Sequence, residues 1–268
     1  MSATKPAIDH AISQGNALAG ASVLITRPAG TARALAAQVR ARGGVPLLLP
    51  GLSVRSERDP ALAQRMRDGR FDDWIFSSPA AVRACFELLP NLRLPRAARA
   101  FAVGTGTRRA LARHAIEAIA PPKGADSEAL LALPELARLR GRHVALLCAP
   151  GGRNLIAPAL RARKARLEVL HVYQRRAPRL DRRHFKALEA AAAPWLTVLS
   201  SAEALDHLCA LLPAALAARW RAQPLIVASE RLAALARGHG FADVTIARSA
   251  VGSDLLDGAA RWLARHRL

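Results

Sequence analysis

Long apolar runs, lysine, aromatic residues and paired cysteines are all scarce in this 268-residue chain, and each shortage removes a class of protein. No apolar stretch approaches the roughly 18 residues that a membrane-spanning helix needs, so no membrane partner is expected. The first twenty residues carry Lys5, Asp9, His10, Gln14 and Asn16 at intervals and have no apolar centre. They read as a flexible extension over 1–19 rather than a secretion signal, which places the protein in the cytoplasm. The three cysteines, Cys85, Cys148 and Cys209, are widely spaced and odd in number. They can form neither a disulfide framework nor a CxxC site, and they read as small core hydrophobes. The eight histidines fall in no HExxH or HxxxH pattern, and no metal is expected.

Nucleotide and hydrolase signatures are missing too. There is no GxxxxGK[ST] loop and no GxSxG elbow, and Gly104-Thr105-Gly106 is followed by Arg109 where a dinucleotide fingerprint has its third glycine. No cofactor is expected. Acidic residues are outnumbered, 20 against 40 basic, giving a net charge of +20. Such a balance invites a polyanionic partner. Yet all but four of the basic residues are arginine, the exceptions being Lys5, Lys123, Lys164 and Lys186, and they are scattered rather than clustered. One tyrosine and six phenylalanines also leave little for base stacking. The charge therefore suggests an acidic ligand without naming it, and no nucleic-acid partner is expected.

What the chain does contain is a rhythm. Short apolar runs alternate with Ala/Leu/Arg-rich amphipathic stretches: SVLIT then ARALAAQVRARG, WIFSS then AAVRACFELL, AFAVG then RRALARHA. The second half repeats the theme with HVALLCA, WLTVLSS and PLIVAS, each followed by its own helical pattern. Strand-then-helix alternation is the mark of parallel α/β sheets. Four landmarks repeat in order: Ile25 with Leu147, Ser77 with Ser200, Val103 with Val227 and Ser127 with Ser253, at offsets of 122 to 126. The sequence thus predicts two similar α/β modules. Two extended apolar segments, 43–54 and 165–177, interrupt the rhythm at equivalent places. If each carries the chain from one module to the other, a ligand cleft is expected between the modules.

Each predicted strand ends in a small polar or glycine-rich turn before its helix. In a parallel sheet such turns share the carboxyl edge, where free helical N–H groups and the helix dipole favour anions. The candidates at these turns are Thr26, Arg27, Ser78, Thr105, Gly151, Gly152, Arg153, Ser200, Ser201, Ser229 and Arg231. Singly, most of these residue types are ordinary helix caps and turn formers. Acid–base groups are thin there, with Asp126, Glu203 and Glu230 all placed as first-turn helix acids. The pattern suits binding and positioning a polyanion.

At these residues the chain resembles the uroporphyrinogen-III synthases. The likeness runs from about 20 to 265 through VLITRPAGTARALAAQVRARGG, DDWIFSSPAAV, AVGTGTRRAL, PPKGADSEALL, APGGRNLIAPALRARKARLEVLHVYQRRAP, LSSAEAL and VASERLAALARGHGF. Two positions depart from the pattern: Lys164 stands where the family usually has a helix-ending glycine, and Asn154 where an acidic residue often follows GGR. The resemblance implies two flavodoxin-like modules joined by a two-stranded linker, one of them discontinuous. Residues 20–50 with 175–268 would form the first domain and 54–170 the inserted second, with linkers at 50–54 and 170–175. It also implies cyclisation of hydroxymethylbilane to uroporphyrinogen III with loss of water and inversion of the last ring, without metal or cofactor. Tyr173, the sole tyrosine, falls where the family has a tyrosine near the cleft and is the catalytic candidate. The chain is expected to act as a monomer. Two other readings share the same turns: a non-catalytic sensor that closes on an acidic metabolite, and a basic nucleic-acid binder whose affinity would fall steeply with salt.

Overall fold

The computed structural model describes residues 16–122, 124, 126–151 and 154–266. In chain order the elements are β1 (Ser22–Ile25), α1 (Ala29–Ala41), β2 (Val45–Leu48), β3 (Ser53–Ser56), α2 (Pro60–Asp68), β4 (Asp73–Phe76), α3 (Pro79–Leu88), β5 (Arg99–Ala102) and α4 (Thr105–Ala112). Then come α5 (Ser127–Leu131), β6 (His143–Cys148), α6 (Ile156–Ala162), β7 (Arg166–His171), β8 (Tyr173–Arg176), α7 (Arg182–Glu189) and β9 (Trp195–Leu199). The chain closes with α8 (Ala202–Leu211), α9 (Ala214–Arg221), β10 (Leu225–Val227), α10 (Glu230–Gly238), β11 (Val244–Ile246) and α11 (Gly252–His266). Two compact units result, one taking the chain up to Ser53 and from Ala177 onward, the other Val54–Arg176.

The discontinuous unit holds a five-stranded parallel sheet in the order β2-β1-β9-β10-β11, which is the flavodoxin-like 2-1-3-4-5 arrangement. The continuous unit holds a parallel sheet in the order β7-β6-β4-β5, and Ile119 bridges in parallel to Phe101 on the free side of β5, where β11 lies beside β10 in the other sheet. The internal repeat is therefore visible in strand order as well as in sequence. It is also exchanged: β1 of the first half pairs with β9 of the second, and β6 of the second half pairs with β4 of the first. The equivalent strands β3 and β8 form a two-stranded sheet with each other.

Side chains alternate between faces along each strand, and because β1, β4, β9 and β10 are apolar at successive positions they are buried on both faces. Trp74, Phe76, Ala100, Ala102, Ala145 and Leu147 enter the cluster under α3, whereas Ile75, Phe101, Val103, Val144 and Leu146 enter the cluster with α6 and Leu130 of α5. In the other unit Leu24, Trp195, Leu199, Leu225 and Val227 face α8, α9 and α10, while Val23, Ile25, Leu196, Val198 and Ile226 face α1 and α11.

The boundaries differ from the sequence expectation in physical ways. The extension expected over 1–19 does not reach its end, because Leu18 is fully buried and its N–H donates to the Arg42 carbonyl at 2.8 Å; residues 1–15 lie outside the described residues. The second crossing, expected at 170–175, falls at Arg176–Ala177, since Leu170 and Val172 are fully buried in the continuous unit.

Helix ends follow the repeat. Gly43 after α1 has φ +77°, and Lys164, its equivalent after α6, has φ +62°. Both close a Schellman turn, with N–H to carbonyl bonds from Gly43 to Arg40 and Gly44 to Val39, and from Lys164 to Arg161 and Ala165 to Leu160. The same pairing links Gly240 (φ +90°) after α10 with Ala115 (φ +55°) after α4. A left-handed backbone costs a residue with a Cβ about 1 kcal/mol relative to glycine. Lys164→Gly and Ala115→Gly should therefore each raise stability by about 0.5–1 kcal/mol in denaturant unfolding. No gain in either variant would show that the local contacts of Lys164 and Ala115 already offset the strain.

At the amino edge of the four-stranded sheet Asp73 is fully buried and held by two arginines from distant segments. Arg99 Nε donates to Oδ1 at 2.7 Å and Arg142 Nε to Oδ2 at 2.5 Å, and each guanidinium adds a second bond. Burial pushes the carboxyl's pKa up, but the bonds and charges of Arg142 and Arg99 outweigh it and hold it below the ordinary carboxylate range. A carboxyl lowered on folding stabilises the protein above its unfolded pKa and loses that contribution as pH falls through the folded value. Asp73→Asn should cost about 3 kcal/mol near neutrality. The deficit, read from thermal melts, should persist down to about pH 4 and shrink in stronger acid. Equal melting of the two proteins at pH 7 would contradict it.

Candidate functional site

In the continuous unit the turns after β4 and β6 meet the outer strands β7 and β8 around a cavity of about 720 Å³. The volume is in the range of small-molecule sites. Its lining shows how the fold concentrates chemistry. The turn after β4 supplies Ser77 and Ser78, the start of α5 supplies Ser127, and the end of β6 with its turn supplies Cys148, Gly151 and Asn154. Four alternate residues, Val169, His171, Tyr173 and Arg175, point into it from β7 and β8, since side chains two apart on an extended chain share a face.

Tyr173 is the best-defined of these groups. It is 6% exposed, with its ring in the same cluster as Trp74 and Phe76. Its hydroxyl lies 3.0 Å from Ser78 Oγ. Ser78 is the N-cap of α3, with Pro79 at the first helical position, and its Oγ accepts the Ala81 N–H at 3.1 Å. The phenol is thereby tied to a helix N-terminus. Opposite partners in the β6–β7 register, Cys148 and His171, bring Sγ within 3.7 Å of Nδ1. Burial pushes the Cys148 thiol up to about 11, with Arg175 pulling the other way. This cysteine is a neutral wall of the cavity and not the core residue that its apolar run suggested; Cys85 is the buried one. Arg175 donates to the Pro150 carbonyl at 3.3 Å, bracing the turn in which Gly151 adopts φ +76°.

The structure therefore brings three of the sequence candidates together in this cavity: Ser78, Gly151 and Tyr173. Gly152 and Arg153 lie outside the described residues. Thr105 is the exposed first residue of α4 in the same unit and is not among the residues lining the cavity. The remaining candidates belong to the discontinuous unit, at the carboxyl ends of β1, β9 and β10. Thr26 is 3% exposed and donates to the Val198 carbonyl at 2.9 Å, which commits its hydroxyl to joining β1 and β9. Arg27 donates to the Ala250 carbonyl at 2.6 Å, keeps a buried Nε without a partner, and has its pKa lowered by burial. Ser201 and Ser229 cap α8 and α10 by accepting from Ala204 and Leu232, each at 3.4 Å. Ser200 is half-buried before that cap, and Arg231 is exposed in the first turn of α10.

Residues that sequence reasoning missed are Cys148, His171 and Arg175. The alternation of 169, 171, 173 and 175 carried the signal, but it becomes readable only once Tyr173 marks which face is functional. No group of three or more His, Cys, Asp or Glu side chains among the described residues could hold a metal ion. Nor is any helix among them long and apolar enough to cross a membrane.

Comparison with known proteins fits this arrangement. The family model for uroporphyrinogen-III synthase HemD matches residues 33–257. The uroporphyrinogen-III synthase of Salmonella typhimurium is 36% identical over 249 residues, covering 88% of this chain and 98% of its own. That of Escherichia coli is 32% identical over 241 residues, with the same coverage. Two solved structures share the fold: a uroporphyrinogen III synthase of Thermus thermophilus, 21% identical with a TM-score of 0.58 over 92% of this chain and 100% of its own, and a uroporphyrinogen-III synthetase of Helicobacter pylori, 15% identical with a TM-score of 0.59 over 90% and 99%. With the family model matching from Arg33 to Asp257 and two relatives 36% and 32% identical over 98% of their own length, the chain belongs to the uroporphyrinogen-III synthase family.

Proposed function

We propose that this chain cyclises linear hydroxymethylbilane to uroporphyrinogen III, losing water and inverting the terminal pyrrole ring. It acts in the cytoplasm as a monomer, on a small molecule rather than on nucleic acid. The observation that carries this reading is the Tyr173 hydroxyl, held by Ser78 at the wall of a cavity on the carboxyl edge of a parallel sheet. The substrate bears eight carboxylates, so it needs many anion donors and few acid–base groups, which is the balance found here. The N–H groups at the start of α3, the turn at Gly151, and Arg161 and Arg175 supply such donors in the continuous unit. The turns at Arg27, Ser200, Ser201 and Ser229 offer the same chemistry in the other.

The reaction starts when the C–O bond of the hydroxymethyl group breaks, driven by electron donation from its own pyrrole nitrogen. Tyr173 gives its phenolic proton to the departing hydroxyl, which leaves as water. The electrophilic carbon is then attacked by the substituted carbon of the terminal ring, and a spiro intermediate rearranges. The proton that the ring finally releases returns to the phenolate. Without protein the same electrophile closes to the uninverted isomer, so the protein's task is to hold the chain in the less accessible geometry. Catalysis here is mainly orientation.

Purified protein given fresh hydroxymethylbilane should produce the type III isomer, resolved from type I by chromatography after oxidation, and chelation should not abolish it. A product mixture equal to the no-protein control would sink the reading, and a ligand bound but recovered unchanged would mark a sensor. Tyr173→Phe keeps the ring's packing and removes one transition-state hydrogen bond. Turnover should fall about ten- to a hundredfold while type III still dominates, because many carboxylate contacts fix the orientation. Unchanged turnover would leave Tyr173 a structural residue.

A further inference from the structure

We infer that Ser78 is a positioning residue for Tyr173: its hydroxyl donates to the phenolic oxygen, so that the phenolic proton faces the cavity. The inference rests on the proposed activity and deepens it. A serine hydroxyl has one proton and two lone pairs. The Ala81 N–H occupies one lone pair at 3.1 Å, which leaves the proton and the other lone pair to meet the Tyr173 hydroxyl at 3.0 Å. Two arrangements satisfy this geometry. If tyrosine donates to serine, the phenolic proton is spent inside the wall. If serine donates to tyrosine, the phenolic proton is free for the departing hydroxyl.

Two physical effects select the second arrangement. The Ala81 N–H belongs to the first turn of α3, where the helix dipole is positive. Accepting that bond drains electron density from Ser78 Oγ, making it a poorer acceptor for tyrosine and a stronger donor. The same bond becomes more valuable as the reaction proceeds, because charge develops on the phenolic oxygen and a hydrogen bond to a charged acceptor is roughly twice as strong as a neutral one. Ser78 and the start of α3 thus favour the state in which the proton has left. The cap bond from the Ala81 N–H at 3.1 Å also holds the Ser78 Oγ in place beside the phenol.

Two substitutions separate this role from that of an ordinary helix cap. Ser78→Asp keeps a capping oxygen but can only accept, whereas Ser78→Thr keeps both the cap and the donor. Turnover of Ser78→Asp should fall about ten- to a hundredfold, with KM raised as well because the added charge faces the substrate's carboxylates, and Ser78→Thr should stay within about threefold of the unsubstituted protein. Ser78→Ala combined with Tyr173→Phe, which adds no charge, decides whether or not Ser78→Asp folds, as judged by circular dichroism. A residue acting through the phenol adds no further loss to Tyr173→Phe, whereas an additive loss overturns the inference.

A second readout is independent of activity. Because the chain has one tyrosine, the intensity ratio of the tyrosine Raman doublet reports this phenol alone and separates an accepting phenol from a donating one. An accepting phenol is expected in the ligand-free protein, and a donating phenol overturns the inference whatever the turnover. If the protein makes no uroporphyrinogen III, the proposed activity fails and the catalytic role of Ser78 with it, while the Raman ratio still settles the direction of the bond.

Discussion

Each of the two sheets is completed by a strand from the other half of the sequence, and most of the structure follows from that pairing. Ser22–Ile25 align with Trp195–Val198, and Asp73–Phe76 with Val144–Leu147. Neither half of the repeat can cover both faces of its own strands, because the first strand–helix–strand segment of each half is built into the sheet of the other. These contacts join residues far apart in sequence, so the loop-closure entropy spent in forming them is large and recovered only when the sheets are complete. The pairings are also parallel, and direction matters as much as adjacency: in each sheet every strand ends on the same edge. Most of the turns there lead into a helix, whose first N–H groups have no partner within the helix itself.

The two edges of the four-stranded sheet consequently have opposite characters. The amino edge is held by a buried carboxylate paired with two arginines. The carboxyl edge keeps helix starts, a positive-φ glycine turn and a tyrosine hydroxyl around open space. A binding protein for a polyanion needs the second kind of edge, and the first kind gives it rigidity from behind. The excess of arginine over acid serves both, paired in one place and solvent-facing in another.

Much of this was legible in the sequence, and the exceptions have physical causes. The strands and helices were readable because apolar alternation and helical periodicity are local, and the exchange of segments was an implication of the family resemblance that fitted the repeat. Tyr173 stood out because it is the one tyrosine and falls where the family resemblance implies a tyrosine near the cleft. The Asp73 cluster was not, since Arg99 and Arg142 are brought to it only by strand pairing across 26 and 69 residues. His171 and Cys148 were missed for the same reason: they meet through the register of β6 and β7. Thr26 had the right residue type in the right turn, yet its hydroxyl is consumed by Val198. Composition cannot distinguish a free donor from one already satisfied by its neighbours.

The claim on which the account turns is that ligand recognition in the continuous unit belongs to the carboxyl edge of its sheet. Backbone amide shifts recorded while uroporphyrinogen III is titrated into the isotope-labelled protein test it directly. The account predicts that Ser77, Ser78, Ser127 and Gly151 move with added ligand while Asp72, Asp73, Arg99 and His143, at the opposite edge, stay in place. Shifts concentrated at the amino edge, or at the smaller cavity lined by Arg93, Arg96 and His114, with the carboxyl-edge amides unmoved, would contradict it.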